Sequence, residues 1–177
     1  MQLIEKVKAL GRASRQRPDK GANKPAAATA APSVFEGRKY SLRAWHAGFR
    51  PRAVAIASST GGPQALLKVF GHLKNAVRVP IFITQHMPLK FTTILAEHLS
   101  RRSGAICNEA IDGEVVKPDR TYLAPGDFHM TIDREGIEKR IHLNQAPHVN
   151  FCRPAVDVMY RSLAESYGRD TLCVVMT

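Results

Sequence analysis

From Arg52 onward the chain alternates short apolar runs with segments of helical periodicity, and that alternation limits the possible folds more than any other feature. Ala53-Val54-Ala55-Ile56-Ala57 is a short apolar run closed off by Ser58-Ser59-Thr60-Gly61-Gly62-Pro63, so it reads as a buried strand. Leu66, Val69, Phe70 and Leu73 then recur at helical spacing, with Pro63 placed for the first helical turn. Val79 to Thr84 reads as a second strand, ending in Gln85-His86-Met87-Pro88. A second helix follows, expected to gather Phe91, Ile94, Leu95, His98 and Leu99 on one face. Strand, helix, strand, helix is the pattern of βαβ units and a parallel sheet.

Beyond Ser103 the elements shorten. Ala105 to Cys107 and Thr121 to Ala124 read as strands, and His129 to Asp133 with Ile137 to Leu143 as a hairpin turning at Arg134-Glu135-Gly136. Arg153-Pro154-Ala155-Val156-Asp157 is expected to open a third helix that stops at Gly168. Thr171 to Thr177 is a last β-rich apolar run.

Composition sharpens this picture only when it is mapped along the chain. The 177 residues carry a formal charge of +11. Residues 1–52 hold twelve Lys and Arg against Glu5, Asp19 and Glu36, so +9 of that charge precedes the βαβ pattern and only +2 belongs to it. Leu3, Ile4, Val7 and Leu10 form a helical stripe ending at Gly11, after which residues 12–50 are basic and rich in Ala and Pro, the composition of a linker. These basic residues lack the aromatic interleaving of a single-strand binder, so no nucleic-acid partner is expected. No apolar run reaches the 18 or so residues of a membrane span, and the N-terminus has no signal-peptide core. Cys107, Cys152 and Cys173 are too scattered for a disulfide framework or a zinc site and are expected in the core. The expected location is cytoplasmic, without metal or cofactor.

In open parallel sheets, sites form beyond the carboxyl ends of the strands. Ser59 stands at the end of the first strand, before a Gly-Gly pair and a helix. Such a segment can cap a helix, cradle an anion or expose a nucleophile, although no Gly-Lys-Ser/Thr is present for a P-loop. His86 stands at the end of the second strand. Adjacent strands lie about 5 Å apart, so Ser59 and His86 are within reach of one crevice, the arrangement a Ser–His nucleophile pair requires. The backbone N–H groups of Thr60 and Gly61 are candidate oxyanion donors.

Five ordered motifs span this part of the chain: Val54 to Pro63, Thr84 to Pro88, Glu109 to Gly113, Tyr122 to Asp127, and Arg153 to Asp157. Together they resemble the chemotaxis protein-glutamate methylesterases, the CheB family. The resemblance implies an α/β fold, doubly wound and Rossmann-like, with a mostly parallel sheet and flanking helices. It also implies hydrolysis of glutamyl methyl esters on methyl-accepting chemotaxis receptors, and deamidation of receptor glutamines, with Ser59 as nucleophile and His86 as general base. Residues 1–11 resemble the closing helix of a receiver domain, 12–50 the linker, and 51–177 the methylesterase domain, incomplete at its C-terminal end. The family's third triad member is an Asp in a glycine-rich loop after the last strand, and neither Asp127 nor Asp157 matches its motif. This chain is therefore expected to be a poor esterase, and the competing expectation is a non-catalytic, receptor-binding adaptor. Ala57 for the usual Gly, Ser58 for the usual Ala and Cys152 for the usual His are further departures.

Overall fold

The computed structural model describes residues 48–73 and 76–176. The expected helix over 1–11 and linker residues 12–47 lie outside the described residues. The elements are β1 (Ala53–Ser58), α1 (Gly62–Leu73), β2 (Ile81–Gln85), α2 (Leu89–Ser103), β3 (Ile106–Glu109), β4 (Arg120–Leu123), β5 (His129–Glu135), β6 (Glu138–Asn144), α3 (Val156–Ser166) and β7 (Thr171–Met176).

Five strands form one sheet in the order β3-β4-β2-β1-β7, with every neighbouring pair parallel, while β5 and β6 form a separate antiparallel hairpin. Because side chains alternate across a strand, the register divides the core in two. Ile56, Ile83 and Leu123 face Leu66 and Phe70 of α1 and Leu95 and Leu99 of α2. Ala55, Phe82 and Tyr122 face the opposite way, onto Met130, Ile132 and Ile141 of the hairpin and Met159 and Leu163 of α3. Helices cover both sides of a parallel sheet, which is why β1 and β2 read as nearly continuous apolar runs.

Two expectations shift. The buried stripe of α2 is Thr92, Leu95, Ala96, Leu99 and Ser103, whereas Phe91 and Ile94 are about half exposed and His98 is exposed. The stripe contains two hydroxyls that satisfy themselves within the helix: Thr92 Oγ1 donates to Leu89 O at 2.7 Å and Ser103 Oγ to Leu99 O at 2.8 Å. They bury at little cost, and a reading that left both hydroxyls off the buried face rotated it. The third helix begins at Val156, and Arg153–Pro154 precedes it as a cis peptide bond.

Candidate active site

Ser58 pairs with Gln85 in the β1–β2 register, so Ser59 and His86 are the next residues beyond the ends of adjacent parallel strands. His86 N–H donates to Ser58 O at 3.2 Å and ties the two turns together. The turn at Ser59 is closed by Gly62 N–H donating to Ser59 O at 2.8 Å, with Gly61 at φ 77°, a conformation glycine adopts without a Cβ penalty. The half-buried side chains meet: His86 Nδ1 lies 3.2 Å from Ser59 Oγ. Sequence spacing put these two groups in one crevice, and the structure brings them to hydrogen-bond distance.

A residue that the sequence reading passed over holds this geometry. Gln85 is 2% exposed and accepts a 2.6 Å bond from Ser58 Oγ. Its Nε2 donates to Ser59 O at 3.0 Å and to His86 O at 3.1 Å. One buried amide therefore clamps the Ser59 turn to the His86 turn. Gly62 leaves room for it, since a Cβ there would overlap Gln85 Oε1 and Ser58 Oγ. The signal available in sequence was a polar residue at the end of an otherwise apolar strand, opposite a serine. Thr60 is exposed and Gly61 open, and neither backbone N–H donates to a protein acceptor among the described residues.

Beside His86 lies an open groove of about 500 Å³ lined by His86, Met87, Asp127, Cys152 and Arg153 among others. Its position follows from topology. The chain leaves β2 toward the α1–α2 face and leaves β4 toward the hairpin and α3, so adjacent strands part company and leave a crevice. Gly126 packs its backbone on Pro88 and Leu89 at the start of α2, where a side chain would collide. Arg153 spans the far wall, donating to Asp127 Oδ1 at 2.9 and 2.6 Å and to the carbonyls of Gln145 and Ala146. The Arg153 guanidinium holds the Asp127 carboxyl below its ordinary value. Asp157 accepts from Asn150. Among the described residues no carboxylate is bonded to His86.

The cysteines divide. Cys107 is buried as expected, and burial pushes its thiol up to about 12. Cys173 is exposed on β7 at the sheet edge, and Cys152 is only half buried, its Sγ 3.7 Å from His86 Nδ1. Both correct the expectation of core cysteines. Among the described residues β7 pairs on one side only, which leaves Cys173 uncovered, and the turn at Asn150 and Phe151 carries Cys152 to the crevice rim. Among the described residues no group of His, Cys, Asp and Glu is placed to hold a metal ion, and no helix is long and apolar enough to cross a membrane.

Comparison with known proteins agrees with this arrangement. The family model described as CheB methylesterase matches residues 54–177. A protein-glutamate methylesterase/protein-glutamine glutaminase of Paramagnetospirillum magneticum is 46% identical across 99% of this chain and 49% of its own length. One from Maricaulis maris is 51% identical over 72% of this chain and 32% of its own. The crystal structure of the Thermotoga maritima CheB methylesterase catalytic domain superposes with a TM-score of 0.69 at 39% identity, covering 72% of this chain and 67% of that one. The chain spans about half the length of the first of these relatives. With a parallel sheet, a serine and a histidine meeting at its carboxyl edge, and a family match over most of its length, this chain belongs to the CheB methylesterase family.

Proposed function

We propose that this chain carries the machinery to hydrolyse glutamyl methyl esters, and to deamidate glutamines, on methyl-accepting chemotaxis receptors. Ser59 is the nucleophile and His86 its base. The observation that carries the reading is the 3.2 Å contact between His86 Nδ1 and Ser59 Oγ at the ends of neighbouring strands. For Nδ1 to accept the serine proton, the neutral ring carries its own proton on Nε2. Ser59 Oγ attacks the ester carbonyl as Nδ1 takes its proton, and the oxyanion forms near the N–H groups of Thr60 and Gly61. The imidazolium then returns the proton to the departing methoxide, releasing methanol. Water, deprotonated by His86, cleaves the acyl-enzyme to free the glutamate and restore the serine. With a glutamine, the leaving group is ammonia.

The Nε2–H, which has no hydrogen-bond partner among the described residues, is the group from which a third, carboxylate member would accept. β7 runs parallel to β1 with Met176 opposite Ser58, so its carboxyl end reaches the same rim of the sheet. Losing the orienting carboxylate costs on the order of 10⁴ in turnover in the serine-protease triad. Residues 1–11 and 12–50 fit this reading as the end of a receiver domain and its linker, and the cytoplasm as its location.

Methanol release from a methylated receptor fragment tests the proposal, with Ser59→Ala as control. Methanol release that Ser59→Ala abolishes supports it. Receptor binding with no Ser59-dependent release overturns it in favour of an adaptor.

A further inference from the structure

A second groove, of about 810 Å³, runs between α1 and α2 and is lined by Lys68, His72, His98, Arg101 and Arg102 with Gln64 and Leu67. All five basic side chains are exposed, and among the described residues none is paired with a carboxylate. Arg101 and Arg102 lie in the last turn of α2, where cations complement the helix dipole. His72, in the last turn of α1 with Nδ1 2.7 Å from Lys68 O, is placed in the same way, which accounts for three of the five. That leaves Lys68 on the facing helix, and His98 one turn earlier on α2, lining the same trough. Gly71 keeps the floor open, because a Cβ there would sit 3.3 Å from Arg102 Nε.

The groove is tied to the catalytic pair by the fold. α1 starts at Gly62, just past Ser59, and α2 at Leu89, just past His86, so both walls begin at the reaction centre and run away from it. Along α2, Phe91, Ile94, His98 and Arg101 share a helical face. The first two are 57% and 49% exposed. The surface is therefore apolar near the serine and cationic about 15 Å further on, at 1.5 Å per residue.

We propose that this α1–α2 groove docks an acidic segment of the substrate protein, one carrying glutamates beyond the side chain being cut. The inference rests on the reading of the chain as a protein-glutamate hydrolase. Charge complementarity selects the occupant: the chain's own residues 1–52 carry +9 and would be repelled. Each turnover also leaves a carboxylate on the substrate, so affinity rises as neighbouring glutamyl groups are freed.

The test uses the 177-residue chain and its Lys68→Glu/Arg101→Glu/Arg102→Glu variant. The probes are receptor cytoplasmic fragments with glutamate or glutamine at the modifiable positions. Unmodified chain is expected to bind the glutamate form about tenfold more tightly than the variant does, with a salt dependence that the variant loses. The glutamine form is expected to bind more weakly. Labelling of Ser59 by a fluorophosphonate, which needs no docking, stays within about twofold and reports a folded site. Equal binding by chain and variant overturns the proposal, as does a charge-sensitive dimer or duplex-DNA complex with no receptor binding. Failure of the hydrolase reading is separate: it shows as no fluorophosphonate labelling and no methanol release from either protein.

Discussion

Replacing Gln85 by leucine removes the amide that joins the Ser59 and His86 turns while putting an apolar side chain of similar size in its place. The loss follows from the bonds. Ser58 Oγ, on a residue 3% exposed, is left without its acceptor, at a cost of about 1–3 kcal/mol. The two bonds donated to Ser59 O and His86 O are each worth about 0.5–1.5 kcal/mol, and Ser59 O still receives the Gly62 N–H. The expected destabilisation is about 2–5 kcal/mol, a large share of the ~5–15 kcal/mol that holds a domain folded. Adding Ser58→Ala removes the orphaned hydroxyl, so the double variant is more stable than Gln85→Leu alone by about 1–2 kcal/mol, and the pair is non-additive. Guanidinium unfolding of the four proteins, followed by circular dichroism, measures the cycle. Fluorophosphonate labelling of Ser59 is expected to slow at least tenfold in Gln85→Leu as the turn loses its clamp. A cost below about 0.5 kcal/mol, or strictly additive variants, refutes the clamp.

Gly62→Ala drives a methyl group into Gln85 Oε1 and Ser58 Oγ, so unfolding should reveal a loss of about 1–3 kcal/mol with slower Ser59 labelling. Ser59→Ala abolishes labelling and methanol release yet leaves the unfolding midpoint nearly unchanged, because among the described residues the half-buried hydroxyl bonds only the His86 ring. Iodoacetamide at pH 8 is expected to modify Cys152 before Cys107, whose thiol is held near 12 by burial, and carbamidomethylated Cys152 should block Ser59 labelling through its contact with His86. The lowered Asp127 carboxyl, held down by Arg153, stabilises the fold in its ionised form. That contribution is fully present above the unfolded carboxylate value of about 3.9 and is lost as pH falls through the lower folded value. Unfolding of Asp127→Asn at pH 6 and pH 3 should show a smaller pH effect than the unmodified chain.

The α/β architecture was legible because it is written in periodicity. Strands buried on both faces cannot alternate, so β1 and β2 stand out as apolar runs, and the helices between them keep a 3.6-residue repeat. The glycines after Ser59 and the Met-Pro after His86 marked strand ends, and sites gather there in parallel sheets. Where the reading went astray, the missing information was local compensation. Thr92 and Ser103 look like surface residues until their hydroxyls are seen bonding the helix carbonyls, and that rotated the predicted face of α2. Cys152 looks like a core cysteine until the Val149–Cys152 bridge sets it at the crevice rim.

The sequence alone determined the order of elements, the parallel sheet and the two strand-end residues that face one another. Each depends on local pattern and on the near-fixed spacing of neighbouring strands. The tertiary structure decided what links that pair and what surrounds it: the Gln85 clamp, the Arg153–Asp127 wall, and the cationic trough between α1 and α2. These join residues from 26 to 34 positions apart, such as Ser59 with Gln85 and Lys68 with Arg102. Only packing determines which of many distant polar groups share a space, because a hydrogen bond or a charged groove is a matter of a few ångströms that no one-dimensional pattern specifies.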